Sequence, residues 1–235
     1  MVSEIVGLAE VDFQILDMEH GVFDTASLDA SIRACESVGC SPLVRVASLQ
    51  TSSIQTALDL GAHGIVVPQI QDFNSASAAV SASKFAPEGI RGYNPFVRAG
   101  HYRGVTKEKM PKLSNAFGLT MIIIENAKAY EDLDRILTIR DLDAVYLGVY
   151  DMSVALNCMG DTTNPKILKF LESSIPRIRK AGKAACLMVN TREDYKKYLD
   201  LGANVFLQGV DSAILTQAVS GGVALFQSVR GSKKK

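Results

Sequence analysis

The sequence predicts an α/β fold: a parallel sheet of the TIM (β/α)8-barrel type, one strand short of the eight that a closed barrel requires. Three observations predict it. Short continuous apolar runs alternate with amphipathic stretches along the chain, which suits strands buried on both faces with helices outside. Four amphipathic stretches stop on a glycine just before the next apolar run, at Gly39, Gly61, Gly182 and Gly202, and glycine takes the left-handed conformation of a helix stop without steric cost. Several apolar runs also end in a residue able to do chemistry. Phe13-Gln14-Ile15-Leu16 leads into Asp17-Met18-Glu19-His20, Leu43-Val44 into Arg45, Met121-Ile122-Ile123-Ile124 into Glu125, and Ala144-Val145-Tyr146-Leu147-Gly148 into Val149-Tyr150-Asp151. A charge at a buried strand end is costly unless paired, solvated or bound to metal, so these ends predict one polar mouth.

A helix is expected over about 2–9 and a strand over about 12–18, the latter on the Phe13 run. The stretch closing on Ser37-Val38-Gly39 gives a helix over about 26–38, and Leu43-Val44 a strand over about 41–46. Asp59-Leu60-Gly61-Ala62 ends a helix over about 51–60, ahead of a strand over about 64–70 and a helix over about 73–84. The residues from about 86 to 118 form the longest irregular stretch, and a loop of that length is usually functional or lid-like. Strands follow at about 119–125 and 144–151, separated by a helix at about 127–139. Helices over about 165–181, 192–201 and 212–220 alternate with strands over about 184–189 and 204–210. Asp200-Leu201-Gly202-Ala203 repeats the tetrapeptide at 59–62, as if one βα unit were used twice. The count is seven strands, and the eighth is expected ahead of the helix at Val2. An open doubly wound sheet carries the same alternation.

Composition narrows the function. The 235 residues are 47% hydrophobic and 21% charged, with 25 Lys+Arg against 25 Asp+Glu. That fits one sizeable domain over 1–235 and lacks the basic stripe of a nucleic-acid binder. The basic residues at 230–235 are expected to be a frayed tail. The four cysteines have no zinc-ligand spacing. No apolar run approaches the ~18 residues of a membrane span, and no charged-then-apolar leader opens the chain. The expected location is the cytoplasm.

Glu125 and Asp151 would both project from strand ends at the mouth. Two carboxylates with waters and a chelating substrate suit a hard divalent ion such as Mg²⁺ or Mn²⁺; equally, each could cap the helix that follows it. His20 follows Asp17 by three residues, and an Asp beside a His can orient the imidazole as a base; a loop His bonded to backbone is the alternative. Arg45 needs an anion, either a protein carboxylate or a substrate oxyanion. His63 belongs to a helix-to-strand turn at the far end and reads as structural. His101 and Arg91 lie in the long irregular stretch, with Arg91 expected to be solvated. Gly221-Gly222 is an isolated pair and weak evidence for phosphate binding.

Taken in order, Leu16-Asp17-Met18-Glu19-His20-Gly21, Pro42-Leu43-Val44-Arg45-Val46, Gly64-Ile65-Val66-Val67-Pro68-Gln69, Pro87-Glu88-Gly89-Ile90-Arg91-Gly92, Ile124-Glu125-Asn126 and Gly148-Val149-Tyr150-Asp151-Met152-Ser153 resemble the HpcH/HpaI aldolase/citrate lyase family of the phosphoenolpyruvate/pyruvate barrel superfamily. The resemblance covers nearly the whole chain. It implies a class II pyruvate aldolase that takes a 4-hydroxy-2-oxo acid, of the 2-keto-3-deoxy sugar acid or 4-hydroxy-2-oxoheptanedioate type, to pyruvate and an aldehyde. It places Glu125 and Asp151 on the ligands of a divalent metal, Mg²⁺ or Mn²⁺ with Co²⁺ as a further candidate. Arg45 falls on the arginine that binds the keto or enolate oxygen, and His20 with its partner Asp17 on the proton-transfer pair. Asp59 falls on a carboxylate presented to the neighbouring subunit's site. Tyr150, Asp151 and Gln69 fall on the substrate-binding positions. It also implies a homo-oligomer built from dimers, up to a hexamer, with C-terminal helices exchanged between subunits.

The chain departs from the family pattern in three places. The family's first strand is missing ahead of the first helix, Ile123 stands where a Gln often sits, and Val149 replaces a Pro. A lyase of citramalyl- or malyl-CoA type and a non-catalytic truncated barrel subunit are the alternatives to the aldolase.

Overall fold

The computed structural model describes residues 1–102 and 109–230. Its strands are β1 (Phe13–Asp17), β2 (Ser41–Arg45), β3 (Gly64–Val67), β4 (Leu119–Ile124), β5 (Ala144–Leu147), β6 (Ala184–Met188) and β7 (Val205–Leu207). Its helices are α1 (Val2–Gly7), α2 (Thr25–Ser37), α3 (Thr51–Asp59), α4 (Phe73–Ser83), α5 (Lys109–Phe117), α6 (Ala127–Glu131), α7 (Leu133–Ile136), α8 (Val149–Ala155), α9 (Pro165–Lys180), α10 (Arg192–Asp200) and α11 (Asp211–Arg230).

The strands form one parallel sheet in chain order, β1 to β7, each paired with the next. A doubly wound sheet reverses its strand order at a switch point; this one does not. Side chains alternate across each strand and sort into two apolar layers. Val44, Ile65, Val67, Ile122, Ile124, Val145 and Leu187 join the helices in the outer layer. Leu43, Val66, Met121, Ile123, Ala144 and Cys186 form the inner layer, to which Phe13 and Ile15 of β1 and Val205 and Leu207 of β7 also pack. The first and last strands thus meet the same inner layer, so the sheet curls as a barrel wall does. Among the described residues β1 and β7 are its two edges.

Several elements differ from the sequence expectation. The strand expected over 144–151 stops at Leu147. The Gly148 N–H bonds to the Ile124 carbonyl at 3.0 Å, and Gly148 then caps α8. Tyr150 and Asp151 therefore lie in the first turn of a helix rather than at a strand end. The irregular stretch contains α5 and a 3₁₀ turn at Arg98–Gly100; residues 103–108 of it lie outside the described residues. The helix expected over 127–139 divides at Asp132, whose carboxylate accepts the Phe73 N–H at 2.7 Å. The last helix continues through Gly221-Gly222 to Arg230. None of its residues is buried, and it alone among the described helices is long and apolar enough, by length and composition, to cross a membrane. Apart from Arg230, the basic tail lies outside the described residues.

Candidate active site

The alternation that builds the inner layer also builds the mouth. Phe13 and Ile15 on β1, Leu43 on β2, Met121 and Ile123 on β4, and Ala144 and Tyr146 on β5 all face inward. Two residues further on come Asp17 and Arg45 at the ends of β1 and β2, and Glu125 and Gly148 one residue past β4 and β5. All four therefore face the mouth at the carboxyl ends of the strands, where barrel active sites form.

Arg45 and Asp17 are register partners in the β1–β2 pair. Arg45 Nε donates to Asp17 Oδ1 at 2.7 Å and Nη2 to Oδ2 at 2.5 Å, while Nη1 stands 3.1 Å from Glu19 Oε2. Asp17 Oδ1 also accepts the backbone N–H of Glu19 at 2.9 Å and of His20 at 3.3 Å. Burial alone would raise the Asp17 pKa, but Arg45 and these N–H groups together hold it below its ordinary value. The anion that Arg45 needs is thus supplied by protein carboxylates. Of the five guanidinium N–H groups, Asp17 takes two and Glu19 faces one, and the other two have no partner among the described residues.

His20 is exposed, and its Nε2 lies 4.0 Å from Glu19 Oε2. Asp17 binds the His20 backbone and turns its carboxylate to Arg45, so the structure does not bring Asp17 to the imidazole.

Glu125 is only 7% exposed. Its Oε1 accepts the Gln69 N–H at 2.6 Å, with Gln69 held at φ +58°. A left-handed backbone at a non-glycine residue is uncommon and collects at functional sites. Burial pushes the Glu125 carboxyl up to about 7; the charges of Asp151 and Glu19 add to this, and the Gln69 N–H and Arg45 oppose it. Glu125 is not a helix cap, because the adjacent Asn126 caps α6 by accepting the Ala129 N–H at 2.9 Å. Beside it, a Cβ on Gly148 would lie 2.8 Å from Glu125 Cβ and 3.1 Å from Oε2. Only glycine fits there without displacing the carboxylate.

Asp151 is exposed in the first turn of α8, whose N-cap makes no side-chain bond. Its charge acts on Glu125. Buried Glu125 and exposed Asp151 form a hard-oxygen pair of like charge, which suits a divalent cation. Among the described residues no group of three His, Cys, Asp or Glu side chains is assembled as a metal centre. A Mg²⁺-type site needs only one or two protein carboxylates, with water and substrate supplying the rest, so the pair fits such an ion.

Asp59 is not brought to this mouth. It ends α3, at the barrel end where β3 begins, and accepts from Arg91 Nη2 at 2.7 Å. The expectation of a solvated Arg91 is corrected: its side chain is 2% exposed, stacks over Phe85 at 4.4 Å and donates to Ser114 Oγ at 3.2 Å. His63 lies 3.3 Å from Glu36 Oε1 and packs edge-on against Phe117, in keeping with a structural role. His101 ends the 3₁₀ turn and is exposed.

Two residues at the mouth escaped the sequence reading. Glu19 is 9% exposed, touches Arg45, and accepts from Gln69 Nε2 at 2.8 Å. Tyr146 faces inward one step below Gly148, and burial beside Cys186 pushes its phenol up. Strand alternation was the signal for Tyr146; Glu19 lies two residues beyond the end of β1, in the loop, where its contacts are set by Arg45 and Gln69.

Comparison with known proteins places the chain in one family. Residues 1–218 match the HpcH/HpaI aldolase/citrate lyase family. The chain is 31% identical over 226 residues to a 2-keto-3-deoxy-L-rhamnonate aldolase of Klebsiella pneumoniae subsp. pneumoniae, covering 96% of this chain and 84% of the relative. A 2-keto-3-deoxy-L-rhamnonate aldolase of Salmonella gallinarum is 29% identical over 228 residues, covering 97% and 85%. The crystal structure of an HpcH/HpaI aldolase from Desulfitobacterium hafniense DCB-2 superposes with a TM-score of 0.90 at 26% identity, over 96% of this chain and 87% of that one. By its sequence over 1–218 and by its fold, the chain belongs to the HpcH/HpaI aldolase/citrate lyase family.

Proposed function

We propose that this protein is a divalent-metal-dependent class II aldolase that cleaves or forms a 4-hydroxy-2-oxo acid of the 2-keto-3-deoxy sugar acid type, with pyruvate and an aldehyde as the other partners. The observation that carries the reading is the placement of Arg45, two of whose N–H groups have no partner among the described residues, at the same mouth as the buried Glu125 carboxylate and Asp151.

Glu125 and Asp151 would hold Mg²⁺, Mn²⁺ or Co²⁺. Such an ion, when bound, supplies Lewis-acid stabilisation of the enolate oxygen. Arg45 aims its remaining N–H groups at the same oxygen as charge develops there. The backbone N–H groups of Tyr150 and Asp151, in the first turn of α8, have no intrahelical acceptor and receive the substrate carboxylate. Gln69 holds Glu125 in place through its backbone. His20, exposed at the rim, takes the proton from the C4 hydroxyl. As the C3–C4 bond breaks, its electron pair passes to the enolate and the aldehyde leaves; protonation at C3 then gives pyruvate. Asp17 serves this step by fixing Arg45.

Among the described residues β7 and β1 do not pair with each other, and we infer that one further strand between them would complete the eight of a closed barrel. The exposed apolar stripe of α11, with Leu215, Val219, Val223, Phe226 and Val229 at spacings of three and four, fits a second copy of the chain. In such a homo-oligomer, dimeric or built from dimers, Asp59 is offered to the neighbour's site.

The test is pyruvate release, read by a coupled dehydrogenase, from 4-hydroxy-2-oxo acids and from citramalyl- and malyl-CoA with added Mg²⁺ or Mn²⁺. Turnover of the hydroxy-oxo acids supports the proposal. Turnover of the thioesters alone makes the protein a CoA-ester lyase, and metal binding without turnover of either makes it a non-catalytic subunit.

A further inference from the structure

A line of four residues crosses the mouth. Arg45 Nη1 lies 3.1 Å from Glu19 Oε2, Gln69 Nε2 donates to Glu19 Oε1 at 2.8 Å, and the Gln69 backbone N–H donates to Glu125 Oε1 at 2.6 Å. The four residues come from the β1 end, the β2 end, the loop after β3 and the β4 end.

Glu19 is not needed to neutralise Arg45, because Asp17 already pairs with that guanidinium through two bonds. A second carboxylate on one guanidinium brings like charges together, at 9% exposure where water screens them little. It does have a second donor in the Gln69 amide. Gln69 is held at φ +58°, a conformation that a non-glycine residue keeps only when its surroundings impose it. In that conformation its side chain reaches Glu19 and its N–H reaches Glu125. A third contact, from Gln71 Nε2 to the Gln69 carbonyl at 3.1 Å, steadies the same turn.

We propose that Glu19 is a positioning residue for the aldolase reaction: it braces Gln69 against Arg45 and so fixes the enolate-binding guanidinium relative to the Glu125 carboxylate. This inference rests on the aldolase reading. Without Glu19, Gln69 relaxes towards an ordinary backbone conformation, its N–H leaves Glu125, and Nη1 of Arg45 loses its stop. The Glu19→Gln variant preserves shape but turns one of the two acceptors into a donor, so it loses one contact.

Two measurements test it on the full chain. In the metal-free protein, hydrogen exchange at the Gln69 amide is compared among wild type, Glu19→Gln and Glu19→Ala. The brace requires at least about tenfold faster exchange at Gln69, with β3 amides unchanged. In the Mg²⁺-supplemented protein, exchange of pyruvate methyl protons with D₂O reports enolate formation. Both variants are expected to lose about tenfold or more in rate at saturating pyruvate while KM moves far less. Gln69→Ala combined with Glu19→Ala should be little slower than the worse single variant, because both act through one contact. Unchanged Gln69 exchange, wild-type methyl exchange in both variants, or losses that multiply in the double variant overturn the brace. A wild-type protein that exchanges no methyl protons overturns the aldolase reading, and the inference with it.

Discussion

Asp17 and Arg45 are register partners in the sheet and ion-pair partners above it: the parallel β1–β2 register sets them side by side, and the guanidinium edge closes on the carboxylate through Nε at 2.7 Å. The pair is thus positioned by backbone before any side chain chooses a rotamer. It leaves one edge of Arg45 facing the mouth.

Asp17→Asn should destabilise the protein by about 1–3 kcal/mol, the cost of breaking a partly buried charge-assisted pair. The effect has a pH window. The folded-state pKa of Asp17 lies below its ordinary value of 3.8, so its contribution is present above that value and lost as pH falls through the folded value. Urea melts at pH 7 should separate wild type from variant, and melts in strong acid should bring them together. A gap that does not change with pH counts against the pair.

Glu125 works with the opposite sign. Its carboxyl is raised from 4.5 to about 7, so the metal-free fold keeps a proton that the unfolded chain has released, and its contribution to stability falls as pH rises through that window. A cation must displace the proton. Apparent Mg²⁺ affinity by calorimetry should climb with pH up to about 7 and flatten above it. A flat profile, or unaltered affinity in Glu125→Gln, would rule out Glu125 as a ligand of the proposed metal.

Gly148→Ala tests the fit beside that carboxylate. The backbone at Gly148, φ −78° and ψ 98°, accepts any residue, so the only penalty is the methyl standing 2.8 Å from Glu125 Cβ and 3.0 Å from Ile123 Cγ2. The expected cost is about 1–3 kcal/mol in thermal melts, together with weaker Mg²⁺ binding. Wild-type values for both would show that the mouth has room to spare.

The α11 stripe makes a prediction about assembly. Val219→Asp with Val223→Asp places two charges in the middle of its apolar face, both at positions now exposed, and light scattering should report a smaller species than wild type. The same mass for both would leave α11 without a subunit partner.

Much of the barrel was legible because burial on both faces leaves a plain mark. The runs Pro42–Val44 in β2, Ile65–Val67 in β3 and Met121–Ile124 in β4 are apolar without interruption, and the glycines after α2, α3, α9 and α10 all take positive φ. The same continuity misled at β5. Val149 and Tyr150 extend the apolar run, and only the Gly148 bond to Ile124 shows where the strand stops. Arg45 and Glu125 were readable as charges at the ends of apolar strands. Glu19 was not, since its meaning depends on Gln69, fifty residues away. Arg91 was misjudged for a similar reason: its flanking glycines suggest an open loop, while Asp59 and Phe85 enclose it.

The proposed aldolase mechanism needs Arg45 as the counter-charge to the developing enolate. The decisive measurement is kcat for pyruvate release from a 2-keto-3-deoxy sugar acid by wild type and Arg45→Ala, each saturated with Mg²⁺ and checked for native melting. Arg45→Ala is expected to lose about 10² or more, the usual cost of removing an oxyanion donor. Near-normal turnover by the folded variant would contradict it.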